Sequence, residues 1–444
     1  MAENTEPSRE NVQAYFRCPK GFLDVLRQDA LEEQPNIRIE QVLDQGVIVS
    51  GAPCDIASFI YMNQAIEKAV LILDIQAYAG PVSELPAEIS PVKETPQLRE
   101  ALPLLLPRAF TFRVDVVADP HVTQGYWRAE QAISLSGILA RMFADQGLPA
   151  NVSLKDAEVT FIGVFDQGKL VLGIDLAGFD LSKRSYKITS TGVSIKGTIA
   201  YCLVRRLSLI ASPSLMPAES LKMTSRDHNA IFLDPSCGTG EVCIEAALYA
   251  SRKSPWTYQK DGFAWRRLPL FARCGKEWLE ELEKRQAQGQ QEQAMRFIVR
   301  CVSPHFGHLS IARKHAKIAG VEHLMQFSRI EYKWLDAKFA KGEVDAVATY
   351  LAPLRSGLSA QQKEKEAKSL FYQLEYLMRK EAKIILMTHD PGPVEAGAAQ
   401  YGFRKIREES AFMGLKSVVV QTYLNETMKK AGKAEKADEP DKPA

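Results

Sequence analysis

The stretch that decides the fold is residues 232–247, "FLDPSCGTGEVCIEAA". An apolar run ends at Asp234, a Gly-x-Gly turn follows at Gly238 and Gly240, and an apolar helix begins near Glu241. In open α/β sheets, ligands bind beyond the carboxyl ends of the strands, and a helix start offers free N–H groups to an anion. The stretch therefore predicts a ligand-binding βα turn, although a tight turn with a merely buried Cys237 gives the same pattern.

The sequence around this turn alternates between strand and helix patterns. Candidate strands are "AIFLDPS", "RFIVRCVS", "LMQFSRIEY", "VDAVATYL", "KIILMTH", "RKIREESAF" and "KSVVVQTYL". Helices are expected to start near Glu241, His308, Ser359 and Val394. Such alternation predicts a doubly wound parallel sheet with a final antiparallel strand.

The first half of the chain has a different organisation. Residues 12–80 follow a β-α-β-β-α-β pattern, which is ferredoxin-like. After a Pro-rich stretch, a strand, a long helix and a hairpin follow, with the hairpin turn near Asp166-Gln167-Gly168. The predicted division is a disordered arm at 1–11, a ferredoxin-like domain at 12–80, a connector at 81–107, an α+β module at 108–192, a helical linker at 193–228, a doubly wound domain at 229–427 and a disordered tail at 428–444.

The bulk composition excludes some classes of protein. The 444 residues are 46% hydrophobic and carry a formal net charge of only +2, which argues against a nucleic-acid surface over the whole chain. The seven cysteines form no CxxC pair, so no disulfide framework is expected and a reducing compartment fits. No signal peptide or apolar run of about 18–20 residues is visible, which predicts a cytoplasmic protein without a membrane span.

Two longer matches extend the motif to a family. The segment "DPSCGTGEVCIEAA" resembles the cofactor motif "DPxCGSGTxxIEAA", and residues 173–208 are similar to "GIDxSGxxLxKRxYR" followed by a Leu/Ala-rich helix. Over about residues 12–426 the chain resembles the THUMP-domain class I RNA guanine-N2 methyltransferases. The resemblance implies a ferredoxin-like domain and a THUMP RNA-binding module, followed by a Rossmann-like methyltransferase sheet.

The resemblance also implies S-adenosylmethionine (SAM) as cofactor and a guanine N2 amine of tRNA or ribosomal RNA as the methyl acceptor. Glu241 stands where the family has threonine. In the family pattern "GxDxD", the second strand carries acids that bind the ribose, and this chain has Ser303 and His305 there. The predicted cofactor residues are Asp234, Pro235, Cys237, Gly238, Gly240, Ser303, His305 and Asp336, the last of which matches the acid that reads the adenine amine.

The fourth strand departs further from the family pattern. Family members present Asn/Asp-Pro-Pro-Tyr/Phe there, whereas this chain has "VDAVATYLAPLRSG" at 344–357. The matching catalytic positions are Tyr350 and Pro353. Two functions therefore stay open: an active RNA methyltransferase, and an RNA-binding scaffold that keeps the fold without turnover. A small-molecule methyltransferase leaves the N-terminal half unexplained.

A cationic segment, "LSKRSYK" at 181–187, is the candidate RNA contact. Lysine and arginine can bind phosphates while a tyrosine stacks on a base. The predicted RNA-binding residues are Lys183, Arg184, Tyr186 and Lys187, although any exposed strand end can carry such charges.

Four potential metal ligands occur close together in sequence: Cys301, His305, His308 and His315. Tetrahedral sites usually combine two close pairs from separate elements, whereas these residues spread over a strand end, a turn and a helix. No metal site is predicted.

Overall fold

A computed structural model shows the fold of the protein. It describes residues 11–78, 109–119, 125–210, 230–287, 297–352 and 358–426, together with residues 82, 95, 96, 121 and 123. Residues 1–10 of the predicted arm at 1–11, the tail at 428–444 and nearly all of the connector at 81–107 lie outside these residues. Within them, the strands form two sheets that correspond to the two halves of the chain.

The first unit has the predicted β-α-β-β-α-β order. Its elements are β1 (Val12–Arg17), α1 (Leu23–Glu32), β2 (Arg38–Val42), β3 (Gly46–Gly51), α2 (Pro53–Met62) and β4 (Lys68–Ala77). Helix α2 ends at Met62. The side chain of Asn63 accepts hydrogen bonds from the N–H groups of Ala65 and Ile66, which replaces the next helical turn.

The second unit joins the same sheet. It comprises β5 (Phe110–Val117), α3 (Gly125–Asp145), a short β6 (Ala150–Val152), β7 (Val159–Asp166) and β8 (Lys169–Asp175). Strands β4 and β8 pair antiparallel, so the described residues form one eight-stranded sheet in the order β2-β3-β1-β4-β8-β7-β5-β6. Gly173 permits this junction, because a Cβ there would lie 2.0 Å from the Leu71 carbonyl oxygen. The two predicted modules are therefore continuous through their backbone hydrogen bonds.

The second sheet contains seven described strands in the order β11-β10-β9-β12-β13-β15-β14. Strands β9 to β13 are parallel, with β9, β10 and β12 largely buried and β11 at a partly exposed edge, and β15 inserts antiparallel between β13 and β14. This agrees with the predicted doubly wound sheet. Its strands are β9 (Ala230–Asp234), β10 (Phe297–Ser303), β11 (Met325–Arg329), β12 (Val344–Leu351), β13 (Met378–Thr388), β14 (Phe403–Met413) and β15 (Lys416–Asn425).

Helices cover this sheet and connect it to the first half. They are α4 (Gly197–Ile210), α5 (Glu241–Ala250), α6 (Lys276–Ala287), α7 (Phe306–Ala319), α8 (Ala360–Leu377) and α9 (Pro391–Gln400). Helix α4 carries Arg205, whose Nε donates to Asp29 Oδ1 of α1 at 2.7 Å, while both side chains are buried. Arg206 contacts Asp24 near the start of α1 and Glu409 of β14. Helix α4 thus joins the two halves through buried charges.

One cysteine prediction is wrong in part. Cys54 of α2 and Cys274, which precedes α6, form a disulfide across a sequence separation of 220, while the other five cysteines are free and buried. The CxxC criterion misses this pair because its two members lie 220 residues apart in the sequence. Among the described residues, no helix is long and apolar enough to span a bilayer.

Candidate functional site

The candidate site is the crevice at the carboxyl ends of the parallel strands. The chain builds β9, β10 and β11 to one side and then returns to place β12 on the other side of β9. Such a reversal point is where open α/β sheets bind ligands. Asp234, Ser303 and Tyr350 lie at the ends of β9, β10 and β12, so the fold brings these three predicted site residues to one edge.

The buried side chain of Asp234 links two of the strands whose ends border the crevice. Its side chain is 1% exposed, and Oδ1 accepts hydrogen bonds from the Thr349 hydroxyl at 2.5 Å and the Ser236 N–H at 3.0 Å. Burial away from water raises the pKa of Asp234 to about 7. The carboxyl group therefore connects the ends of β9 and β12.

The two glycines of the turn serve different packing needs. Gly240 has φ +90°, and a Cβ there would lie 2.8 Å from the Cβ of Ala312 on α7. Gly238 has φ +52°, and its Cβ position lies 3.2 Å from Cγ2 of Val193. Glycine is thus required at Gly240 for close helix packing. The space in front of Gly238 is filled by the segment that precedes α4.

The segment that precedes α4 also supplies a cation to the acidic residue at the start of α5. Glu241 is 2% exposed, and its two carboxylate oxygens lie 2.7 and 2.8 Å from the Thr239 hydroxyl. Lys187 Nζ lies 3.2 Å from Glu241 Oε1 and donates to the Ile195 carbonyl at 2.6 Å. Ser194 and Thr239 share a hydrogen bond at 2.6 Å. A buried carboxylate thus occupies the positive end of α5 and has its own cation.

The β10 and β11 side of the crevice is more open. Ser303 is 2% exposed, and its hydroxyl accepts the His305 N–H at 3.3 Å, whereas the His305 ring is exposed. Asp336 is exposed as well, and its N–H donates to Gln373 Oε1 at 2.8 Å. Phe306 and Trp334, which follow β10 and β11, are 69% and 56% exposed. Exposed aromatic rings beside a polar crevice suit the stacking of a nucleoside base.

Sequence reasoning missed a histidine beside Tyr350. Tyr350 is 6% exposed, and its hydroxyl lies 3.3 Å from His389 Nε2 at the end of β13. Burial raises the pKa of the Tyr350 hydroxyl. His389 could have been found from "MTHD", which places polar residues at the end of the strand adjacent to β12. Pro353 lies outside the described residues.

Comparison with known sequences places the C-terminal half near methyltransferase domains. A family model described as "RMKL-like, methyltransferase domain" matches residues 218–418. Residues 218–418, a little under half of the chain, therefore resemble this methyltransferase domain family. Ribosomal RNA large subunit methyltransferase K/L of Shewanella baltica is 28% identical over 233 residues, which cover 50% of this chain and 29% of that protein. The corresponding protein of Shewanella frigidimarina is 25% identical over 226 residues, with the same shares covered. The chain thus spans less than a third of these curated relatives.

Solved structures show the same fold over nearly the whole chain. A possible methylase from Clostridium difficile 630 aligns with a TM-score of 0.64 at 16% identity and covers 93% of this chain and 98% of that one. TrmN from Thermus thermophilus gives 0.58 at 16% identity, covering 94% and 100%. SMU.472, crystallised in complex with SAH, gives 0.68 at 15% identity, covering 94% and 99%. The Rossmann-like class I fold predicted for the C-terminal half is confirmed.

Two of the predicted RNA contacts are placed in the protein core instead. Arg184 is 3% exposed, and its Nε and Nη2 donate to the two carboxylate oxygens of Glu245 at 2.8 and 3.0 Å. Tyr186 is 1% exposed and donates its hydroxyl to Glu245 Oε1 at 2.7 Å. Lys187 faces Glu241. Of the four predicted residues, Lys183 alone projects into solvent, with an 83% exposed side chain. Burial and internal pairing therefore correct the prediction for Arg184 and Tyr186.

A different surface gathers positive charge. A cavity of about 340 Å³ lies where the two halves of the chain meet. Some of its cations have acidic partners, such as Lys20 with Asp119 at 2.5 Å and Lys196 with Glu67 at 3.0 Å. The charged and histidine residues that line this basic cleft are Arg17, Lys20, Lys68, His121, Arg128, Lys196, Glu67, Asp119 and Asp180.

The crevice fits one half of SAM better than the other. Exposed Asp336, Phe306 and Trp334 suit an adenine ring and its amine. The start of α5 does not fit a free ligand carboxylate, because Glu241 is already bound there. Among the described residues, no group of three or more histidine, cysteine or acidic side chains is arranged to hold a metal ion.

Proposed function

We propose that this chain is a SAM-dependent methyltransferase that acts on structured RNA, either tRNA or ribosomal RNA, at a guanine N2 amine. The observation that carries the proposal is the Gly-rich turn of β9 at the reversal point of the sheet, in a domain that matches a methyltransferase family model. The curated relatives named above are ribosomal RNA methyltransferases, which supports RNA as the substrate class.

The cofactor assignment rests on the turn and the open side of the crevice. The backbone from Asp234 to Cys237, including Pro235, is the proposed lining of the site, whereas Val193 occupies the space in front of Gly238 and Gly240 packs against Ala312. The exposed His305 ring offers one acceptor for a ribose hydroxyl in place of a carboxylate, while the buried Ser303 hydroxyl accepts the His305 N–H at 3.3 Å and so positions that residue. Asp336 accepts from the adenine amine. When bound, SAM supplies an electrophilic methyl group on its sulfonium.

The acceptor base is assigned to the end of β12. The lone pair of a guanine N2 amine is delocalised into the ring, so the enzyme must hold the amine by its hydrogens and fix the base. Tyr350 is 6% exposed, so its proposed role is to position the base: its hydroxyl lies 3.3 Å from His389 Nε2 and would hold the end of β12 in place beside the base. Pro353, two residues after the end of β12, is included in the proposed base-binding loop because it matches the family motif.

RNA docking is assigned to the first half of the chain, as a THUMP-type module. Lys183 and the cations of the basic cleft supply phosphate contacts, while the overall charge of +2 keeps the rest of the surface nearly neutral. Affinity for RNA should therefore fall steeply with salt.

Transfer of a labelled methyl group from SAM to total tRNA and ribosomal RNA tests the proposal. We expect Tyr350→Ala to lower the rate about 100-fold through misplacement of the base, without loss of RNA affinity. Tyr372→Phe, on the exposed face of α8, is the matched control. Tight, salt-dependent RNA binding without transfer by the wild type would refute turnover and support the scaffold function.

A further inference from the structure

The inference concerns Glu241 and rests on the proposed SAM site. Helix starts bind anions because their N–H groups are free and the helix dipole is positive there. The first residue of α5 is itself an acid, and its side chain is 98% buried. The position that would hold a ligand carboxylate is thus next to a carboxylate of the protein.

The contacts of Glu241 account for the charges near it. Thr239 donates its hydroxyl to the carboxylate, and Lys187 supplies a cation at 3.2 Å. Lys187 also donates to the Ile195 carbonyl, which fixes its ammonium over the turn. Val193 fills the space in front of Gly238. A ligand carboxylate that bound here would give up its hydration, and no free cation would compensate for that cost because Lys187 is already paired with Glu241.

We propose that Glu241 is a specificity-determining residue that removes the carboxylate requirement from the nucleoside site. The Glu241–Lys187 pair takes the place of the ligand's carboxylate, so the adenosine portion supplies nearly all of the affinity. The preferred ligand class is then an adenosine with a 5′-sulfur substituent, sulfonium or thioether, with or without an amino-acid group.

Calorimetric titration of the full chain with two probes tests this inference. S-adenosylhomocysteine carries the amino-acid group, and 5′-methylthioadenosine has the same adenosine and sulfur without it. We expect the wild type to bind both probes within about threefold. Glu241→Gln keeps the side-chain shape and frees Lys187, so it should bind S-adenosylhomocysteine about tenfold more tightly, with methylthioadenosine unchanged.

Two further variants keep the result interpretable. Lys187→Gln leaves Glu241 unpaired and should weaken S-adenosylhomocysteine binding selectively, which a loss of folding would not do. Glu283→Gln is the matched control, because Glu283 pairs with Lys260 at 3.1 Å and lies outside the crevice. Thermal unfolding of each variant confirms that it is folded.

The outcomes separate the inference from the proposed function. Wild-type binding of S-adenosylhomocysteine at least tenfold tighter than methylthioadenosine would overturn the inference and leave the proposed function intact. Weaker S-adenosylhomocysteine binding by Glu241→Gln would also overturn it, since Glu241 would then bind the ligand's ammonium group. Absence of binding of both probes to every variant would refute the proposed cofactor and the inference together.

Discussion

Replacement of Arg184 by methionine should destabilise the protein and leave RNA affinity unchanged. The guanidinium donates to both oxygens of Glu245, to the Gln64 carbonyl at 2.5 Å and to the Leu181 carbonyl at 3.1 Å. It also lies 4.9 Å from the centroid of the Trp256 ring. The substitution leaves Glu245 buried without its cation, which costs about 3–5 kcal/mol.

The neighbouring residue provides the control. Lys183 lies one position earlier, and its exposed side chain is 3.8 Å from Asp180, so Lys183→Met should change stability by less than about 1 kcal/mol. Tyr186→Phe removes one hydrogen bond to the same Glu245 carboxylate and should cost about 1.5–3 kcal/mol.

Urea unfolding followed by circular dichroism, together with RNA filter binding across a salt series, measures both effects. We expect Arg184→Met to lower the unfolding midpoint strongly with an unchanged RNA salt slope. Lys183→Met should have a nearly unchanged midpoint and a salt slope reduced by about one phosphate contact. Equal stability of the two variants, with RNA affinity lost at Arg184, would refute the assignment of Arg184 to the core.

Three other predictions concern stability. Because burial raises the folded-state pKa of Asp234 to about 7, its contribution to the free energy of unfolding should decline as pH rises from about 4 to 7, and Asp234→Asn should remove that decline in urea titrations at each pH. Denatured, unreduced protein should give five titratable thiols and reduced protein seven, and Cys54→Ser should lower the melting temperature; seven thiols without reductant would contradict the Cys54–Cys274 disulfide. Gly240→Ala should destabilise by more than about 2 kcal/mol, whereas Gly342→Ala, which has positive φ but open space around its Cβ, should cost about 1 kcal/mol; equal losses would show that backbone strain and not crowding requires Gly240.

The elements of the fold could be predicted because their signals are local. The run into Asp234, the Gly-x-Gly turn and the apolar start of α5 lie within sixteen residues, and periodicity identifies the other strands in the same way. The β4–β8 pairing lies beyond such signals, because it joins strands about a hundred residues apart. Only the close approach at Gly173 marks the junction, and a glycine in a strand has several explanations.

The site residues were harder to predict, because side-chain direction depends on tertiary contacts. Lys183 and Arg184 are adjacent cations in one loop, yet one is exposed and the other is fully enclosed by Glu245 and Trp256. Charge and residue type give no means to separate them. His389 reaches Tyr350 only because β12 and β13 are neighbours in the sheet. The family motif predicts Pro353 beside Tyr350, and that position lies outside the described residues.

The buried ion pairs have a practical consequence for dissecting this protein. Expression of the C-terminal sheet alone, from residue 230, would leave Glu245 without Arg184 and Glu409 without Arg206, and would expose the apolar face on which α4 packs. Such a fragment would expose unpaired charged side chains next to apolar surface, so we expect it to aggregate. Useful truncations of this chain are therefore confined to its extreme ends, and each half has to be studied by point substitution within the intact polypeptide.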